Sequence, residues 1–366
     1  MISIDQVLVG AGRTDAITNM ARAIRKGLGD SMSGDIFARH PALGVSDVLP
    51  LSRFGTSHVS GRIVVFHASI GDPDVFEALN HCEDPVVLVF HNIAPATSFE
   101  SIDPERAASL HDGWRELELL RPKVAVVIAD SAFNAACLSD MGYRDITVLP
   151  VGLDASRLNK TAPDQQFLHR LTMEVAGDLL LSVGQMLPHK HPEVLVQMQY
   201  LLTEYCRRST TLVIVGPPKL LPQGADPPTI QAIADAVAEQ AAVLNTPQCL
   251  LYGQVTDAEL AALYSRADLF VSASTHEGLC IPAIEAMAAG VPVLARQVGA
   301  IPQTVGQGGI LLPPDAGPEL FAEAVIELLD NEPFRSRLTG LGLQEVRRFD
   351  AEQSVKSFLD LLDEAI

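Results

Sequence analysis

Glu277 and Glu285 stand in one segment, Ser274-Thr275-His276-Glu277-Gly278-Leu279-Cys280-Ile281-Pro282-Ala283-Ile284-Glu285, and two carboxylates so close invite comparison with an acid–base pair. On a helix, eight positions correspond to about 12 Å of rise. Glycosidase carboxylates stand roughly 5–9.5 Å apart. The two therefore address different parts of one long ligand. Pro282 suits the first turn of a helix, whose free backbone N–H groups make an anion site fitted to a diphosphate. His91 follows the apolar run Val86–Phe90, so its ring is expected at the carboxyl edge of a sheet, facing a cleft. His67 also ends a strand on the cleft side.

Other groupings suggest chemistry more weakly. Gly10-Ala11-Gly12-Arg13-Thr14-Asp15-Ala16 mimics a dinucleotide fingerprint, but no acid is convincingly placed downstream. Asp72-Pro73-Asp74 has the spacing of a metal-binding pair, yet Gly71 and Pro73 mark a turn with Asp72 as a helix cap. His189-Lys190-His191 precedes Pro192 and reads as a loop; no metal is expected at either place. Arg22, Arg25 and Lys26 form a small basic face, read as solvated.

Short apolar runs alternate with helical stretches. Val7–Val9, Arg62–Phe66, Val86–His91, Val124–Ala129 and Ile146–Leu149 read as strands, with helices at Ala16–Lys26, Ala107–Leu120 and Ser131–Met141. Fully apolar strands between amphipathic helices indicate a parallel sheet covered on both faces. Asp154–Ala176 breaks the pattern as a linker and a helix. Alternation then resumes: strands at Leu179–Val183, Leu212–Val215, Leu250–Tyr252, Leu269–Ser272, Val293–Ala295 and Gly309–Leu312; helices at His191–Tyr205, Thr229–Leu244, Asp257–Arg266, Ile281–Ala289, Gly317–Asp330 and Ala351–Glu364. Thr256 to Glu259 fits a capping box. Two doubly wound α/β units predict ligands at the carboxyl ends of strands, in a cleft.

Composition narrows the partners. The 26 basic and 45 acidic residues leave a net charge of −19, which repels nucleic acid and anionic membrane. Apolar residues make up 48%, enough for two cores. The five cysteines show no paired spacing and suit a reduced, cytoplasmic setting. Met1–Asp5 has no signal-peptide character, and the apolar runs are far short of the ~20 residues of a membrane span.

The Glu277–Glu285 segment resembles the glutamate–seven residues–glutamate motif of family 4 retaining glycosyltransferases, which have the GT-B fold. The likeness extends to Leu251–Val255, Leu263–Val271, Val298–Pro302, Ser182–Lys190, Phe90–Pro95, Ala129–Asn134 and Val148–Asp154, nearly the whole chain. It implies an acceptor-binding unit over 1–155, a donor-binding unit over 156–350, and a last helix, 351–366, crossing back to the first. It implies that Glu285 holds the nucleotide ribose, Glu277 the donor sugar, and Lys190 the diphosphate. Backbone N–H groups of Leu279, Cys280 and Ile281, beside Gly278, would line the sugar and phosphate site. Tyr252–Val255, with Gly253 and Val255, would lie near the base. Gly10 and Gly12 would border the donor, His91 the transferred sugar, and His67 and Asn92 the acceptor. Gln185 stands where the family commonly has a phosphate-binding Arg, so more falls to Lys190 and the helix terminus. Val151 stands where Asn is often seen.

The expectation is thus a metal-independent, retaining hexosyltransferase that uses a nucleoside-diphosphate sugar and no other cofactor. Its acceptor would be a glycan, lipid-linked glycan or small molecule, as in bacterial polysaccharide synthesis, with at most peripheral membrane contact. A sugar-nucleotide epimerase, a sugar phosphorylase and a non-catalytic nucleotide-sugar-binding subunit are the alternatives.

Overall fold

The computed structural model describes residues 3–13, 15–29, 32–55, 61–216 and 228–365. Thr14 of the glycine loop and the first two residues of the N-terminal segment lie outside them. The chain divides into two compact units, Met1–Asp154 with Phe349–Ile366, and Ala155–Arg348.

The first unit contains β1 (Ser3–Ala11), α1 (Ala16–Leu28), β2 (Ser33–Pro41), β3 (Leu49–Pro50), β4 (Arg62–Ala68), α2 (Pro73–His81), β5 (Val86–Phe90), α3 (Pro104–Leu120), β6 (Val124–Ala129), α4 (Ala132–Asp140) and β7 (Ile146–Val148). All pairings are parallel, in the order β3-β2-β1-β4-β5-β6-β7. Strand order reverses between β1 and β4, the switch point where such sheets open a crevice. Every residue of β5 is buried, which is why it reads as an unbroken apolar run. β2 and β3 escape the sequence pattern. Only Ile36, Phe37 and Ala38 of Ser33–Pro41 are buried, and the rest is polar because the strand lies toward the sheet's edge.

The second unit contains α5 (Gln165–Glu174), β8 (Asp178–Val183), α6 (Pro192–Tyr200), β9 (Thr210–Val215), α7 (Pro228–Val243), β10 (Cys249–Tyr252), α8 (Asp257–Arg266), β11 (Leu269–Ser272), α9 (Ile281–Ala288), β12 (Val293–Arg296), α10 (Ile301–Val305), β13 (Gly309–Leu312), α11 (Pro318–Asp330) and α12 (Glu332–Glu345). Its parallel sheet runs β10-β9-β8-β11-β12-β13, with the switch point between β8 and β11. Thr256 and Glu259 form the expected reciprocal cap on α8. The helix expected to run to Tyr205 ends at Tyr200, where the chain widens into a π turn over Leu201–Tyr205. α12 was not foreseen. Gly342, on its buried side, lets the helix approach Met287 of α9 so closely that a Cβ would lie 3.1 Å from Met287 Cγ.

The last helix, α13 (Ala351–Ala365), belongs to the first unit. Val355, Phe358 and Leu362 join the core of Ile24, Leu28, Val126 and Ile128, and Ser354 Oγ accepts the Gly152 N–H at 3.0 Å. No helix among the described residues is long and apolar enough to cross a membrane.

Candidate functional site: the β8–β11 switch point and a histidine chain

In the second unit, the ends of β8 and β11 enclose a hollow lined by Gly184, Gln185, Lys190, Ser274, Glu277 and Cys280, among others. Lys190 is the one cation among the described residues lining it. Three features shape the hollow. Thr275 donates its N–H to the His189 carbonyl at 2.8 Å, tying the Lys190 loop to the Glu277 turn. Gly299 has φ +52° and sits so close that a Cβ would lie 2.3 Å from the Glu277 carbonyl oxygen, while Ala300 N–H donates to that oxygen at 2.9 Å. Cys280 caps α9 in the left-handed conformation, φ +64°, and turns the chain into the helix at Pro282.

Lys190 Nζ donates to Glu277 Oε1 at 2.7 Å. Burial pulls the ammonium pKa down, but the adjacent Glu277 carboxylate outweighs it and holds Lys190 above the ordinary lysine value. The two residues read as phosphate and sugar contacts are thus paired with each other. Among the described residues, the backbone N–H groups of Leu279, Cys280 and Ile281 meet no hydrogen-bond partner. They are the orphan donors of a helix N-terminus, where partial positive charge attracts an anion.

Glu285, on α9, is held by residues that the sequence reading missed. Arg157 Nη2 donates to Glu285 Oε1 at 3.0 Å, and Arg157 Nη1 lies 2.5 Å from Asp257 Oδ2. The Tyr264 hydroxyl lies 3.3 Å from Glu285 Oε2 and 3.1 Å from the Pro282 carbonyl. Burial raises the Glu285 pKa, and Arg157 opposes that shift without cancelling it. Arg157 lies in the stretch read as a linker, where a lone Arg gives no signal. Near the base position, the Tyr252 hydroxyl bonds Glu174 and its ring meets Phe167 at 5.5 Å, while Val255 packs on the core beside Gly253.

In the first unit, four neighbouring strands contribute to one chain of side chains. Gln6 Nε2 donates to the Ala21 carbonyl at 2.8 Å, and Gln6 Oε1 lies 2.9 Å from His67 Nε2. His67 Nδ1 lies 2.8 Å from His91 Nε2, and His91 Nδ1 lies 2.6 Å from Asp130 Oδ2. Two expectations are corrected here. His67 is 1% exposed with both ring nitrogens engaged, so it does not face an acceptor. The His91 side chain is 4% exposed and turned inward for the same reason. Its main-chain carbonyl accepts no hydrogen bond among the described residues, so the carbonyl is the polar group that residue 91 can offer. Asn92, at φ +82°, turns the chain after β5 and donates its side-chain amide to Asn134 Oδ1 at 2.7 Å. That amide is engaged in holding the turn rather than in reaching an acceptor.

Gly10 and Gly12 lie where β1 ends, in the first unit. The Asp15 carboxylate caps α1, accepting the Thr18 N–H at 2.8 Å, and its charge would oppose a diphosphate there. Asp72 caps α2, and Asp74 pairs with Arg39 at 2.6 Å. Among the described residues no three His, Cys, Asp or Glu are grouped to hold a metal ion. Arg22 and Arg25 converge on Asp47, at 2.8 and 3.0 Å, instead of forming a solvated basic face. The Arg22 fork lowers the Asp47 pKa to about 2.

Comparison with known proteins agrees with this geometry. The family profile described as glycosyl transferases group 1 matches residues 171–340. O-antigen chain mannosyltransferase B of Escherichia coli is 29% identical over 174 residues, 47% of this chain and 42% of that protein. A D-inositol 3-phosphate glycosyltransferase of Nocardioides is 29% identical over 291 residues, 76% and 61% of the two chains. The chain spans about half the length of the curated relatives it matches. Among solved structures, sucrose-phosphate synthase from Thermosynechococcus elongatus superposes with a TM-score of 0.77 at 19% identity, covering 99% of this chain and 98% of that one. HepE of Anabaena in complex with UDP-glucose gives 0.74 at 15% identity, covering 99% of each. Residues 171–340 thus match the glycosyl transferases group 1 profile, and the chain, with its two Rossmann-like sheets, has the GT-B fold.

Proposed function

We propose that the chain is a retaining glycosyltransferase that moves a hexose from a nucleoside-diphosphate sugar to an acceptor hydroxyl, without a divalent metal. One observation carries the reading: Lys190 and Glu277 meet at 2.7 Å in a hollow that Cys280, at the N-terminus of α9, also lines. A cation, a carboxylate and a helix terminus together suit a ligand with an anionic end and a hydroxyl-rich end.

In this reading the diphosphate takes Lys190 and the α9 N-terminus. Glu277, released from Lys190, accepts hydrogen bonds from the sugar hydroxyls. Glu285, oriented by Arg157 and Tyr264, accepts from the ribose. Gln185 adds a neutral hydrogen-bonding group. The bond from C1 of the sugar to the phosphate oxygen breaks, and the electron pair leaves with the diphosphate. Lys190 and the helix dipole stabilise the charge that grows there. The acceptor oxygen attacks from the same face, and its proton passes to the departing phosphate. The named relatives make glycan and lipid-linked or small-molecule hydroxyls suitable acceptors. The donor would be drawn from cytoplasmic nucleotide sugars.

The test supplies UDP- and GDP-sugars with a panel of sugar, inositol and glycan acceptors in EDTA. Acceptor-dependent release of nucleoside diphosphate, and a product with the donor's anomeric configuration by proton NMR, is expected. An epimerised donor, release by phosphate alone, or an inverted product contradicts the reading.

A further inference from the structure

The hollow at the β8–β11 switch point is close to neutral as its lining stands. Lys190, its one lining cation among the described residues, is paired with Glu277, which also lines it. A ligand with two phosphates brings more than one negative charge, so a shared ammonium and a helix terminus leave it under-compensated. A further positive charge stands behind the lining. Arg296 ends β12, which pairs with β11, and is 5% exposed.

Arg296 Nη1 donates to the Ala273 carbonyl at 2.6 Å, and Nε and Nη2 donate to the Ala316 carbonyl at 3.2 and 2.7 Å. The buried Phe321 ring covers the guanidinium, with its centroid 5.8 Å from Cζ. All of these partners are neutral. Among the described residues no carboxylate forms an ion pair with Arg296, and Glu193 and Asp315 act on its charge only at a distance. Glu193 is itself paired with His191 at 2.6 Å, and Asp315 is exposed. Burial lowers the Arg296 pKa and the two acids oppose that, but an arginine stays ionised throughout. Buried charges are normally paired. A neutral donor could bridge two carbonyls at a smaller desolvation cost. The charge of Arg296 therefore calls for a counter-charge that the protein does not place against it.

The hollow is where such a counter-charge would sit. Ala273 lies between Ser272 and Ser274, which both line the hollow and whose hydroxyls meet at 3.1 Å. Bond lengths through the Ala273 carbonyl put Arg296 Nη1 within ~7 Å of the Ser274 Cα. In an interior shielded from water, a charge acts strongly over that range. We propose that Arg296 is a positioning residue of the phosphate site: it holds the Ser272–Ser274 wall from behind and supplies the hollow with a second positive charge, which sets a preference for two phosphates over one. The identity of the anion rests on the proposed function; the presence of the charge does not.

Calorimetric titration of UDP, UMP, GDP, GMP and inorganic pyrophosphate into the full chain in EDTA separates charge from scaffolding. Arg296→Gln keeps a donor for the carbonyls and removes the charge; Arg296→Lys keeps the charge and removes the fork. In Arg296→Gln the diphosphates and pyrophosphate should bind ~10-fold more weakly and the monophosphates within ~3-fold of wild type, while Arg296→Lys should hold every ligand within ~3-fold. Gln185→Arg, which places a cation on the lining itself, should restore most of the diphosphate affinity on the Arg296→Gln background. A purely structural Arg296 predicts otherwise: Arg296→Lys as damaging as Arg296→Gln, mono- and diphosphates weakened alike, and no restoration by Gln185→Arg. Any of these results in folded protein overturns the inference. Arg296→Met, neutral and of similar length, takes the place of Arg296→Gln if that variant does not fold. Pyrophosphate binding that depends on the charge at 296, in a chain that transfers no sugar from any donor, would strike the proposed function and leave the inference standing. A wild type that binds neither pyrophosphate nor any of the nucleotides overturns both.

Discussion

Lys190 and Glu277 each hold the other's charge in a largely buried hollow, and this changes what substitution of either should do. Removing one member of such a pair leaves the other uncompensated. Glu277→Gln should weaken binding of the sugar donor, because a carboxylate that accepts sugar hydroxyls becomes an amide. It should tighten the free nucleoside diphosphate by several-fold, because Lys190 no longer divides itself between phosphate and Glu277. Glu285→Ala should weaken both ligands alike, since the ribose is common to them, by ~1–3 kcal/mol for a lost charged hydrogen bond. Calorimetry with UDP, GDP and their sugars checks both; parallel losses in the two variants would remove the division of labour. The two glutamates were legible as a pair from spacing and from the proline and glycine between them. Their supports were not. Arg157 lies 128 residues from Glu285, and nothing local in the linker marks it. His67 and His91 were legible as strand-end residues, but their inward direction depends on Gln6 and Asp130, which only the strand order brings alongside.

The turn before α9 shows how an element makes a site. The left-handed Cys280 ends the approach, Pro282 starts the helix, and the segment around Gly299 supports the Glu277 backbone from behind. Gly299 is needed twice over, for its φ of +52° and for the 2.3 Å that a Cβ would leave to the Glu277 carbonyl oxygen. Gly299→Ala should therefore move the Glu277 turn and cost ~1–3 kcal/mol of stability. It should weaken donor binding more than a matched change at Gly340, where a Cβ meets nothing within 4 Å. Thermal melting and donor titration of the two variants check this; indistinguishable behaviour would mean that the turn does not rely on Gly299. Elements with strong patterns, such as the fully buried β5 and the capped α8, were readable residue by residue. The strands β2 and β3 and the helix α12 were not, because a strand buried only at its centre, a strand of two residues and a helix with a glycine at its contact carry little period.

Across the whole molecule, the repetition of doubly wound units was readable from the alternation of apolar runs and helices. The crossing-back of the last helix came from family likeness; its seat, Val355, Phe358 and Leu362 against the core of the first unit, is a tertiary fact. The division of the chain assigns the cation, the carboxylates and the helix terminus to the second unit, and the histidine chain to the first. If the nucleotide belongs to the second unit alone, its binding needs Lys190 and Glu285 but neither His91 nor Asp130, and it needs no metal. Titration calorimetry of UDP and GDP into the full chain in EDTA, with Lys190→Ala and Asp130→Asn alongside, measures that directly. The account predicts saturable one-site binding of at least one of the two nucleotides, weakened by Lys190→Ala and unchanged by Asp130→Asn. Binding that appears only when Mg²⁺ or Mn²⁺ is restored, or that survives Lys190→Ala undiminished, would contradict it.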